Sequence, residues 1–260
     1  MKLRRCIKGI LIRLHPSTGK NVKIWAHRGC SMQYPENTLQ AFEAAAKLSG
    51  LTGIELDIHL SLDGEIVVIH DETLDRTTSA GGNVMDYTAE ELSRFGVPTM
   101  REVFDLLKPY CIRNGLLINI ELKNNKNRYE GMEKKIVDLA KEYGLSDYVI
   151  YSSFRPESIG MIKDIEPKAQ TGILKYNIRD CYKYAGKYNA DALHPCNKGL
   201  SLKKEFRGKL SGMTVRVWNT DEPFYGQNRK YRHLHLEKCA WLGATDIITN
   251  NPEEYLGRMK

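Results

Sequence analysis

The feature that most constrains this chain is a regular exchange between two hydrophobic periods. From residue 22 onward, short apolar runs of strand character alternate with longer stretches whose apolar residues recur at helical spacing. Residues 22–26, 54–60, 65–70, 116–122, 148–154, 171–174, 191–194, 214–218 and 246–249 read as strands. Helical patterns lie over 38–48, 100–107, 132–143, 156–165, 179–188, 202–210 and 229–242, with a short closing helix after the last strand. The helix from Met100 is expected to stop before Pro109, because proline lacks the N–H that the helical ladder needs. Strands alternating with helices in this way mean βαβ units and a mostly parallel sheet. About eight units in about 240 residues fit an α/β TIM barrel better than an open doubly wound sheet.

Composition enters where it excludes alternatives. The net charge of +7 suggests a polyanion partner until it is located. Seven of the 39 Lys and Arg residues lie within residues 1–23, which hold no acid, so the remaining 32 balance the 32 Asp and Glu. Nucleic acid is therefore not expected as a partner. Within residues 1–14, Leu3, Ile7, Ile10, Leu11 and Leu14 form one stripe of a basic amphipathic N-terminal helix. Such a helix suits an anionic membrane surface, and equally a place under the barrel or against a neighbour. Its apolar run is too short for a signal peptide, and no run of about 18 apolar residues exists to span a membrane. The six cysteines form no C-x-x-C pair and read as reduced thiols of a cytoplasmic protein, membrane-surface associated if the arm binds lipid. The expected organisation is an arm over 1–21 and a barrel over 22–260. A polar insertion at about 73–97 follows the second barrel strand on the active-site face. G-x-G-x-x-G after the first strand and G-x-x-x-x-G-K-[ST] anywhere are both missing, so nucleotide-binding readings lose their signature.

In a TIM barrel the functional candidates sit at strand C-termini. Those ends read His27-Arg28, Glu55 and Asp57, Glu121 and Lys123, Ser153, His194, Trp218-Asn219 and Thr249-Asn250. Asp63-Gly64 signals a two-residue hairpin, whose register sets Asp57 opposite His70 and puts Glu55, Asp57 and His59 on one face. An isolated E-x-D pair is usually a solvated salt-bridge site. Here four strand ends converge on three carboxylates, two histidines, an arginine and a lysine. His59 reads as peripheral, His194 as a pocket candidate or an ordinary strand exit, and His233 and His235 as the solvated face of a late helix. Ser153 lacks a G-x-S-x-G context, which disfavours a serine hydrolase.

The chain resembles the glycerophosphodiester phosphodiesterase family. The likeness is carried by Ala26-His27-Arg28-Gly29, Pro35-Glu36-Asn37-Thr38, Glu55-Leu56-Asp57, Val68-Ile69-His70-Asp71 and Leu74-Asp75-Arg76-Thr77-Thr78. It continues through Val97-Pro98-Thr99, Asn119–Lys123, Val217-Trp218-Asn219 and Ile247 to Pro252, covering about residues 24–257 in order. The resemblance implies a TIM barrel, one divalent metal and hydrolysis of glycerophosphodiesters to glycerol 3-phosphate and an alcohol. Glu55, Asp57 and Glu121 then offer hard oxygen ligands suited to Mg²⁺ or Ca²⁺. Arg28 and Lys123 join that metal in stabilising charge on the phosphate. The family reading makes His27 and His70 the acid–base pair, and it favours attack by the glycerol 2-hydroxyl over attack by water. Trp218 packs against the glycerol carbons or serves as a core aromatic. Asn250 stands where the family often has Asp. Two alternatives are a lysophospholipase D, differing in the apolar reach of the pocket mouth, and a non-catalytic phosphodiester-binding barrel.

Overall fold

The apolar runs pair edge to edge until the sheet meets itself. A computed structural model of the chain describes residues 22–200, 204–219 and 221–259, so the basic arm and its amphipathic helix lie outside the described residues. Eight parallel strands form the wall: β1 (Lys23–His27), β2 (Gly53–Leu60), β4 (Leu117–Leu122), β5 (Val149–Ser153), β6 (Gln170–Lys175), β7 (Ala192–Pro195), β8 (Thr214–Trp218) and β9 (Asp246–Thr249). Each pairs with the next, and β1 pairs with both β2 and β9, which closes the cylinder. A short antiparallel strand, β3 (Ile66–Val68), pairs with Ile58–Leu60 of β2, beyond the stretch that β1 covers.

Helices ring the outside: α1 (Leu39–Ala46), α3 (Met100–Asn114), α4 (Met132–Glu142), α5 (Pro156–Ile165), α6 (Ile178–Tyr188), α7 (Lys204–Lys209), α8 (Leu236–Trp241) and α9 (Pro252–Met259). The insertion contributes α2 (Ala89–Arg94), capped reciprocally by Thr88 and Glu91, and packs Leu74, Val84 and Leu92 against Val67 and Ile69. Strand alternation separates two kinds of face. On β2, Ile54, Leu56, Ile58 and Leu60 meet Phe42, Phe104 and Leu107 of the helices, while Glu55, Asp57 and His59 turn the other way. Each large apolar side chain buried in this outer layer contributes roughly 1.5–3 kcal/mol relative to exposure. The interior floor is a polar lattice around Trp25. Its Nε1 donates to Asp246 (2.7 Å), and the Arg216 guanidinium lies 4.1 Å from the ring centroid and donates to His194 Nε2 at 2.8 Å. Gly53 and Gly172 make room for this lattice, since a Cβ on either would lie 2.4 Å from the Trp25 or His194 ring.

Three local expectations are corrected. First, the β2–β3 hairpin has a three-residue loop. Ile58 pairs with Val68, so Asp57 faces Ile69 and not His70. Ser61 accepts the Glu65 N–H through Oγ and bonds Asp63, and Gly64 takes φ +77°, so Ser61 and not Leu62 pairs with Glu65. Second, α3 continues through Pro109 to Asn114, ending at Gly115 in the left-handed region. Pro109 and Asp105, whose carbonyl it strips of a partner, are both exposed, while Phe104, Leu107 and Cys111 keep one buried stripe across the proline. Packing of that stripe outweighs the lost bond. Third, residues 229–235 are not helical; α8 begins at Leu236, so His233 and His235 precede it.

Candidate active site

The parallel register brings the candidate residues together. Glu55 lies level with His27 on one side and Asn119 on the other, and Asp57 lies level with Glu121. Carboxylate oxygens of Glu55, Asp57 and Glu121 come within 4.8 Å of one another, all buried. They lie at or under the floor of a cavity of about 440 Å³ at the C-terminal end of the barrel. His27, Arg28, Glu55, His70, Glu121, Lys123 and Trp218 line it. Asp57 is fully buried beneath. Its Oδ2 takes the Asn37 amide at 2.9 Å and faces Arg28 Nε at 3.1 Å, and its Oδ1 has only Lys123 Nζ at 3.7 Å. Glu55 Oε2 and Asp57 Oδ1 accept no hydrogen bond from any protein donor. Two buried, unpartnered carboxylate oxygens beside a third carboxylate form a hard, anionic donor set that fits a divalent cation.

Electrostatics separate the three acids. Burial, followed by the charges of Asp57 and Glu121, pushes Glu55 well above the ordinary carboxylate range. Burial acts upward on Asp57 too, but Arg28, His70 and Lys123 hold it well below that range. Lys123 bonds Glu121 at 3.0 Å, and although burial opposes it, Glu121 and Asp57 keep its ammonium charged. Arg28 follows β1 with a positive φ of 57°, and its side chain lines the cavity while bonding Glu36 (2.6 Å) and facing Asp57.

The two histidines are held differently. His70 lies two residues past β3, next to Ile69, whose N–H still donates to the Asp57 carbonyl. The His70 backbone carbonyl accepts from His59 Nε2, and His59 in turn bonds the Tyr129 hydroxyl. His59, expected at the periphery, is thus a buried prop. His70 Nδ1 meets Asp71 Oδ1 at 2.6 Å, and Arg76 of the insertion clamps both Asp71 and Glu36. His27 Nδ1 meets Asn250 Oδ1 at 2.6 Å, with Nε2 3.7 Å from Glu55. Burial and then Arg28 lower His27 to about 3. His194 lies in the interior lattice and does not line the cavity. Ser153 Oγ donates to the Leu122 carbonyl, with no base beside it. Trp218 lines the cavity while its Nε1 donates to the His194 carbonyl, and its ring packs at 5.8 and 5.4 Å from those of Phe154 and Tyr176.

Residues 27–254 match the model of the glycerophosphoryl diester phosphodiesterase family. The chain belongs to this family. A glycerophosphodiester phosphodiesterase from Bacillus altitudinis is 39% identical over 245 residues, covering 89% of this chain and 95% of that one. Another from Caldanaerobacter subterraneus is 34% identical over 249 residues, covering 90% and 96%. Among solved structures, the family barrel recurs in a glycerophosphodiester phosphodiesterase from Parabacteroides distasonis. It has TM-score 0.73 and 23% identity, over 92% of this chain and 97% of that one. An Oleispira antarctica phosphodiesterase in complex with sn-glycerol-3-phosphate matches with TM-score 0.74 and 24% identity, over 90% and 95%.

Several participants carry no role in the sequence reading. Glu36, Asn37, Asp71 and Arg76 stand inside the family motifs, which was the available signal. Glu222 and Phe224 come from the loop after β8, outside every motif and ahead of the helical pattern at 229–242. Phe224 lies over Arg28 and Arg76 at 5.0 and 5.9 Å from its centroid. Nothing local in the sequence announces that contact.

Proposed function

We propose that this family member is a metal-dependent phosphodiesterase that hydrolyses glycerophosphodiesters to glycerol 3-phosphate and an alcohol, with His27 and His70 as its acid–base pair. The observation that carries the reading is a single cavity lined by two imidazoles, a guanidinium and an ammonium over three clustered carboxylates. Glu55, Asp57 and Glu121 hold one divalent cation, Mg²⁺ or Ca²⁺, which when bound supplies positive charge to the phosphate oxygens. Lys123 and Arg28 add fixed charges at the same wall. Asp57 and Glu36 orient the Arg28 fork, and Lys123 acts as a point charge. The phosphodiester lies between the histidines. One imidazole takes the proton of the attacking hydroxyl and the other returns one to the departing alkoxide. Trp218, Phe154 and Tyr176 wall the apolar side of the cavity and pack against substrate carbon. Attack by the 2-hydroxyl of glycerol expels the alcohol and leaves a cyclic phosphate, which a water then opens to glycerol 3-phosphate with the two imidazoles exchanging roles. Five buried free thiols, Cys30, Cys111, Cys181, Cys196 and Cys239, support a cytoplasmic site of action. Among the described residues no helix is long and apolar enough to cross a membrane.

The test is purified protein with glycerophosphocholine and Mg²⁺ or Ca²⁺, assayed for glycerol 3-phosphate. Turnover abolished by EDTA is expected. His27→Ala and His70→Ala each are expected to lower kcat by about 10²–10⁴-fold while the cation still binds. EDTA-insensitive turnover, or no product from any glycerophosphodiester, would overturn the reading.

A further inference from the structure

We propose that Asn250 is a positioning residue that commits His27 to the tautomer with its proton on Nδ1, so that Nε2 is the atom that exchanges a proton with substrate; this rests on the phosphodiesterase reading above. Asn250 follows β9 and is almost fully buried. Its side-chain nitrogen donates to two backbone carbonyls, those of Glu222 and Pro223, each at 3.2 Å. Two carbonyls can only accept, so the amide cannot be reversed without setting its oxygen against both. The main chain is pinned as well. The Asn250 N–H donates to Glu222 Oε2 at 2.8 Å, and its carbonyl accepts from Met32. Glu222 is itself fixed by the hydroxyls of Thr249 and Tyr255. What remains toward His27 is the amide oxygen, 2.6 Å from Nδ1, and an oxygen with no proton can only be met by an N–H.

The neutral imidazole therefore carries its hydrogen on Nδ1 and its lone pair on Nε2, on the cavity side. When the ring works as base, the substrate proton enters at Nε2, the N–H to Asn250 is kept, and the ring becomes imidazolium. The reverse returns the proton from the same atom. His70 reaches the same tautomer through the Asp71 carboxylate. The partners differ in charge: the amide orients His27 without adding a negative charge behind it, whereas Asp71 places one behind His70. An Asp at 250 could not simply replace the amide here, because a second carboxylate oxygen would confront the Glu222 and Pro223 carbonyls.

The experiment is a long-range ¹H–¹⁵N correlation spectrum of the full chain with ¹⁵N-histidine at pH 8, with the His27 signals assigned by their loss in His27→Gln. A protonated Nδ1 and an unprotonated Nε2 at His27 are expected in the wild type. In Asn250→Leu the preference is expected to vanish, and kcat on glycerophosphocholine to fall about 100-fold with KM within about three-fold. A protonated Nε2 in the wild-type spectrum overturns the proposal whether or not the variant folds. So does an Asn250→Leu protein whose kcat stays within about three-fold of wild type. The spectrum is independent of turnover, so a wild type that cleaves no diester defeats the phosphodiesterase reading while the tautomer is still decided by NMR.

Discussion

At the scale of single residues, the interior is governed by which polar atom faces which. His194 is the clearest case away from the cavity. It is fully buried, it accepts from Arg216, and burial followed by the Arg216 charge holds it well below 6.5. Its neutral form belongs to the fold, and the unfolded chain takes up the proton first as pH falls. Stability from this group is therefore complete above about pH 6.5 and is lost below it, at about 1.4 kcal/mol per pH unit. Replacing it with Gln, which can accept from Arg216 but does not titrate, is expected to flatten that slope. Urea unfolding of wild type and His194→Gln at pH 7, 6 and 5 tests this, and parallel profiles would refute it. At the site, Asp71→Asn keeps the size of the His70 partner but removes its charge. It is expected to lower kcat by about 10²-fold or more, with the fold intact by circular dichroism.

At the scale of elements, packing and turn chemistry compete with local propensity, and α3 shows the outcome. Its proline costs a ladder bond on the solvent face, while the buried stripe runs on for another turn. Pro109→Ala restores the N–H and removes the ring clash, at the expense of a freer unfolded chain. A net stabilisation of about 1–2 kcal/mol is expected from urea melts, and a destabilised variant would show that the proline is accommodated without strain. The hairpin makes the complementary point. Asp-Gly in the sequence indicates a turn, and a turn is there, but the Ser61 side chain lengthens the loop by one residue and shifts the register. In the shifted register the Ile69 N–H meets the Asp57 carbonyl, and the adjacent His70 is held by His59 and Asp71.

At the scale of the whole molecule, closure is what concentrates charge. Open strands could each keep their acids in water, whereas the closed barrel stacks Glu55, Asp57 and Glu121 into one buried cluster. A cation that binds the folded chain alone relieves that repulsion and stabilises it by mass action, about 2.7 kcal/mol at a hundred-fold excess over Kd. Mg²⁺ or Ca²⁺ is thus expected to raise Tm, with EDTA reversing the rise. Glu121→Gln is expected to weaken the effect, and a Tm indifferent to both ions would count against a metal in this cluster.

The residues by themselves determined the barrel, because alternation of period 2 with period 3.6 admits few other closures, and they determined the acidic set, because E-x-D and E-x-K at strand ends can face only one way once neighbouring strands are in register. They also marked His27 and His70 through motif order. The tertiary structure decided what depends on contacts between distant segments. It decided that Arg28 is shared between Asp57 and Glu36, that Arg76 of the insertion locks Asp71, and that the loop after β8 brings Glu222 and Phe224 to the site. It decided as well that the Asn250 amide oxygen meets His27 Nδ1. Periodicity reports which side of an element faces inward; it carries no information about which partner, two hundred residues away, completes a hydrogen bond there.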